Sequence, residues 1–169
     1  MRHILPDVER GATILVAALR RGKKVLICGN GGSAADSQHF AAELVGRYKD
    51  DRPPLPALAL TTDSSALTAI GNDYGFEDIF KRQVAALGKS GDVLVVFSTS
   101  GASKNVLAAI SEARLRKIKV IALTGTRGSG LRRRADAVIV VPTKETARIQ
   151  EVHQLVYHSW CEYIDATHV

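Results

Sequence analysis

A chain of 169 residues suits one domain, residues 1–169, and its 46% hydrophobic and 24% charged content is ordinary for a globular protein. Its apolar runs are too short to cross a bilayer, which takes about 20 residues, and two cysteines, Cys28 and Cys161, make neither a disulfide framework nor a CxxC metal knuckle. The net charge of +6 comes with only 5% aromatic residues, too few for a base-stacking platform, so it favours small anionic ligands over nucleic acid.

The opening residues, Met-Arg-His-Ile-Leu-Pro-Asp, carry no apolar core before a small-residue cleavage site, and a cytoplasmic location is expected. Asp7–Arg20 places Val8, Ala12, Leu15 and Leu19 on one stripe and predicts the first helix. Lys24–Cys28 is short and apolar, as a buried parallel strand is. After it, Gly29-Asn30-Gly31-Gly32-Ser33-Ala34-Ala35-Asp36 turns into a helix predicted over Ser33–Gly46, with Gly46 as its C-cap. Arg52-Pro53-Pro54-Leu55-Pro56 is a rigid entry into a second strand, Leu55–Leu60, and Asp63–Asp73 reads as loop. A helix over Phe76–Leu87 leads to a third strand, Asp92–Phe97. Then Ser98-Thr99-Ser100-Gly101-Ala102-Ser103 opens a helix over Ser103–Leu115. Strands over Lys119–Leu123 and Ala137–Val141 follow, flanking the basic run Arg132-Arg133-Arg134, and Thr146–Asp165 makes the closing helix. Five strands alternating with helices predict an α/β three-layer doubly wound sandwich on a five-stranded parallel sheet, with ligands beyond the carboxyl ends of its strands.

Two loops at that edge are built for an anion. Glycines after the first strand let backbone N–H groups approach a ligand at a helix N-terminus, and four hydroxyls after the third strand can donate to phosphate oxygens. Ser, Thr and Gly are also ordinary capping and turn residues, so either loop alone is ambiguous; two at one sheet edge are less so. Gly29-x-Gly31-x-x-Ala34 also fits a dinucleotide fingerprint. The acidic residue that motif needs about 20 positions on is missing, since Asp63 lies too far along, and the serine loop is left unexplained.

The glycine loop, Gly71-Asn72-Asp73-Tyr74-Gly75-Phe76 and Ser98-Thr99-Ser100-Gly101 resemble the sugar-isomerase (SIS) family. Within it, His39-Phe40-Ala41-Ala42-Glu43-Leu44, Arg52-Pro53 and Ala147-Arg148-Ile149-Gln150-Glu151-Val152-His153 resemble the phosphoheptose isomerases, and the match runs from about Ile4 into the last helix. The resemblance implies the SIS, flavodoxin-like fold and a homotetramer with no membrane or nucleic-acid partner. The implied reaction interconverts sedoheptulose 7-phosphate and D-glycero-D-manno-heptose 7-phosphate, on the way to bacterial surface heptoses. It implies Zn²⁺ held by His39, Glu43, Gln150 and His158, with Glu43 and His158 catalytic. Substrate contacts would fall at Asn30, Gly31, Gly32, Ser33, Glu43, Asn72, Asp73, Ser98, Thr99, Ser100, Ser103 and Gln150. Two departures stand out: relatives usually carry one more helix ahead of the first one here, used in subunit packing, and Ala102 replaces the asparagine usual in the serine loop. SIS folds also serve as non-catalytic modules that bind a replication initiator or sense sugar phosphates; a carboxylate at 43 and an imidazole at 158 favour the enzyme.

The residues fit that chemistry. Isomerisation needs a base reaching two adjacent carbons and an acid or metal at the oxygens. His39 and Glu43, four apart, share one helix face and can chelate a metal, although such a pair is often only an ion pair. Gln150 and His158 lie about 12 Å apart along their helix, too far for one straight helix to wrap both around one ion. The site therefore is expected to borrow from a neighbouring subunit, or to use the two at different points. His153 is a spare candidate, more often core than ligand.

Overall fold

The computed structural model describes residues 2–169; Met1, at the start of the predicted domain, lies outside the described residues. Five strands, β1 (Val25–Gly29), β2 (Ala57–Ala59), β3 (Val93–Ser98), β4 (Lys119–Gly125) and β5 (Ala137–Val141), form one sheet in the order β2-β1-β3-β4-β5. Every pairing is parallel, with β1 and β3 in register from Val25↔Val93 to Gly29↔Phe97. The predicted doubly wound α/β fold is therefore what forms, and its switch point falls between β1 and β3, where the glycine and serine loops begin.

All residues of β1 and β3 are buried, because helices cover both faces of the sheet. The two-residue period of the strands divides the core. Val25, Ile27, Val93 and Val95 pack with α1 (Leu5–Leu19), α2 (Gly32–Val45) and α6 (Thr146–Ala166) on one face. Leu26, Cys28, Leu94 and Val96 pack with α4 (Lys81–Leu87) and α5 (Lys104–Leu115) on the other. Trp160 of α6 donates its indole N–H to the Val8 carbonyl at 2.9 Å and pins α1 in place.

The structure departs from the sequence expectation in three places. Strand β2 keeps only three residues, because Pro53, Pro54 and Pro56 have no N–H for the ladder at this sheet edge. The helix expected over Phe76–Leu87 is interrupted. Gly75, at φ +97°, leads into a 3₁₀ turn at Phe76–Asp78 before α4 begins, and Phe76 is left 65% exposed. The stretch 63–73, read as loop, holds α3 (Ser64–Asp73), started by Asp63, whose carboxylate accepts the Ala66 N–H at 2.9 Å. None of its residues is buried. A further 3₁₀ segment, Thr126–Arg133, follows β4, and from it Arg132 pairs with Asp7.

One network pins the chain between α2 and β2. Buried Asp165 of α6 accepts from Arg52 Nε at 2.8 Å and from the backbone N–H groups of Lys49 and Asp50. Arg52 in turn donates to the carbonyls of Glu43 and Leu44, which the end of α2 leaves without helical partners.

Candidate functional site

The glycine loop turns at Gly31, whose φ of +57° is a left-handed conformation that suits glycine. Asn30 is locked to Asn105 of α5 by two reciprocal hydrogen bonds of 2.9 Å, each side-chain amide donating its N–H to the other's oxygen. Gly32 begins α2 directly beneath Gln150 of α6; a Cβ there would collide with the Gln150 amide. Ser33 is buried, and its carbonyl accepts the Ser37 hydroxyl.

The serine loop is held from below. Thr124 donates its hydroxyl to the Ser98 carbonyl at 2.6 Å, and Ser98 Oγ lies 3.3 Å from Ser103 Oγ while accepting the Gly101 N–H. Ser100 Oγ accepts the Ala102 N–H, and the Thr99 carbonyl accepts the Gly125 N–H. Ser103 is the N-cap residue of α5, so the hydroxyls gather at a helix N-terminus. Gly101, at φ +67°, rests on the backbone of Gly128, where side chains on either residue would collide. Beside this contact a cavity of about 780 Å³ is lined by Ala102, Arg127, Arg133 and Arg134 among others, a positive surrounding for an anion.

A second group lies farther along α2. His39 Nε2 is 2.9 Å from Glu43 Oε1, and His158 of α6 completes the set. One ring nitrogen from each histidine and one Glu43 oxygen all fall within 4.8 Å of one another. Glycine-loop Gly32 faces Gln150, and His39, seven residues on, meets His158, eight residues after Gln150. The two helices thus run side by side in one direction, and the His/Glu group stands roughly 10 Å from the glycine loop. Gln150 contacts that loop, and three of the four predicted ligands meet within one chain.

The remaining candidates lie apart. Asn72 donates its amide to Asp73 at 2.8 Å, both at the exposed end of α3. His153 points into the core against Phe97, and burial pushes its pKa down to about 4. Four contributors were not singled out from the sequence: Tyr157, Asp36, Asn105 and Thr124. Asp36 had a local signal, because Asp36, His39 and Glu43 at spacings of three and four share one helix face. The others act across long sequence separations. Burial raises Asp36 to about 6, with His39 opposing. Burial, and then the charge of His39, lower His158, with Glu43 opposing. Tyr157 is raised by burial and by the charges of Asp36, Cys161 and Glu43.

The donor set fits a zinc ion. His158 Nε2 is buried with no hydrogen-bond partner, and a third donor beside a His/Glu chelate at this spacing matches the nitrogen and oxygen chemistry zinc takes.

The SIS domain family model matches residues 4–125. A phosphoheptose isomerase from Campylobacter concisus (strain 13826) is 55% identical over 163 residues, covering 96% of this chain and 86% of the relative. Among solved structures, a phosphoheptose isomerase from Neisseria gonorrhoeae superposes with a TM-score of 0.90 at 49% identity, covering 96% of this chain and 87% of that one. One from Francisella tularensis gives 0.91 at 46%, covering 95% and 86%.

Proposed function

Because the chain belongs to the phosphoheptose isomerases of the SIS domain family, we propose that it interconverts sedoheptulose 7-phosphate and D-glycero-D-manno-heptose 7-phosphate. The observation that carries this reading is the meeting of Glu43 and His158, on α2 and α6, two helical turns beyond the glycine loop. That offset lets one end of an extended sugar phosphate sit among hydroxyls and backbone donors while the other reaches a carboxylate and an imidazole.

The phosphate lies at the N-terminus of α5, taking hydrogen bonds from Ser98, Thr99, Ser100 and Ser103. Asn30, Gly31, Gly32, Ser33 and Gln150 line the middle of the sugar. Glu43 takes the proton from the carbon beside the carbonyl and returns it to the former carbonyl carbon, while His158 hydrogen-bonds the carbonyl oxygen as negative charge grows there and the proton of the adjoining hydroxyl passes to that oxygen as the new carbonyl forms. His39, Glu43 and His158 are the residues that would hold zinc, while Gln150 acts at a different point, beside the glycine loop; when bound, the ion would polarise the sugar oxygens as a Lewis acid. Homotetramer formation would account for one exposed face. Helix α3 buries none of its residues, and Tyr74 and Phe76 beside it are 56% and 65% exposed. Packing that face against another subunit would bring Asn72 and Asp73 to a shared site. No helix among the described residues is long and apolar enough to cross a membrane. We place the enzyme in the cytoplasm, in the route to surface heptoses.

The purified protein should isomerise sedoheptulose 7-phosphate, and a chelator should lower the rate. No turnover with or without added divalent metal would remove the reading. Ser98→Ala and Ser100→Ala should each raise KM about tenfold or more with kcat little changed, since the phosphate is held alike in ground and transition states. An unchanged KM in both would put the phosphate elsewhere.

A further inference from the structure

We propose that Tyr157 is the positioning residue of the metal group: its hydroxyl, at 2.9 Å, holds His39 Nδ1 and lets the ring present Nε2 either as a donor to Glu43 or as a free lone pair to an ion. The inference deepens the zinc reading above and rests on it.

Tyr157 is fully buried. Its ring stacks on Phe40 at 5.4 Å and meets Phe97, His39 and His158 edge-on, so its hydroxyl has a fixed aim. A neutral imidazole carries one N–H, and its position is set by what each nitrogen faces. Without an ion, the Tyr157 O–H donates to Nδ1, and Nε2–H donates to the Glu43 carboxylate. Both bonds are satisfied. A cation needs the Nε2 lone pair, so the proton must sit on Nδ1, and Nδ1–H then donates to the Tyr157 oxygen. A phenol both donates and accepts, so one residue serves both arrangements. In the second, the phenol hydrogen turns away from His39. Asp36, one turn before His39, has a buried Oδ2 without a partner. Phenylalanine at 157 would keep the packing and leave Nδ1 without a partner in either tautomer.

The test is Tyr157→Phe with three readouts. Its melting temperature should stay close to wild type, since only one oxygen is lost. Its Zn²⁺ dissociation constant, measured by chelator competition, should rise about 10–100-fold, and excess Zn²⁺ should restore kcat with the sugar-phosphate KM unchanged. In the metal-free protein, the ¹⁵N resonance of His39 Nδ1 should move while those of His153 stay in place. Wild-type zinc affinity together with an unmoved Nδ1 resonance would overturn the proposal. A moved resonance in a protein that binds no divalent ion even as wild type would sustain the positioning role and sink the zinc reading.

Discussion

Glu43→Gln should lower kcat by about 10²–10⁴-fold while sugar-phosphate binding survives. The amide has the size of the carboxylate and can still hydrogen-bond His39, which lies 2.9 Å from Glu43 Oε1. It cannot accept a proton at neutral pH. The proposed phosphate contacts lie in the serine loop at the N-terminus of α5, on a different element from Glu43, and are untouched. Calorimetric titration with the sugar phosphate checks the binding, and the rate is read with metal content measured on the same sample. Loss of rate at full metal occupancy assigns the loss to proton transfer. Turnover near wild type would remove Glu43 as the base.

Asp165→Ala should lower unfolding free energy by about 3–5 kcal/mol, the cost of leaving a buried charge without its partner. The side chains of Arg52 and Asp165 are only 8% and 4% exposed, and Asp165 also satisfies two backbone N–H groups. At this chain length that corresponds to a fall of about 6–20 °C in Tm. Because Arg52 also binds the carbonyls of Glu43 and Leu44, the variant should loosen the turn of α2 that carries the base. The pH dependence has a definite sign. Burial disfavours the Asp165 charge, but the Arg52 bond and the Lys49 and Asp50 N–H groups outweigh it and hold the carboxyl below its ordinary value. Its stabilisation is therefore complete above the ordinary carboxylate range and lost as pH falls through the lowered folded value. Urea unfolding at pH 7 and pH 3 should show the variant's deficit shrinking in acid. An equal deficit at both would mean that packing, not charge, carries the effect.

The order of elements was legible because strands and helices write short-range signals. β5 spans Ala137–Val141 as its apolar run predicts, and the glycine and serine loops stand at the ends of β1 and β3 as expected from their turn and capping residues. The errors fall where a signal is local but its outcome is not. Residues 64–73 had an N-cap at Asp63 yet no apolar stripe strong enough to announce α3, which buries none of its residues. Phe76 is expected to open a helix, and the turn at Gly75 instead takes it into a 3₁₀ segment where it is exposed.

At the site, the i,i+4 spacing of His39 and Glu43 fixed their common face before any coordinates, since a helix repeats within one turn. Which residue of α6 would meet them was open. Gln150 and His158 both stand on that helix, and only its packing beside α2 puts Gln150 on Gly32 and His158 with His39. Tyr157 reaches His39 across 118 residues of chain. Its aim depends on the aromatic packing around it and on the angle between two helices, and neither is written into the residues that flank it.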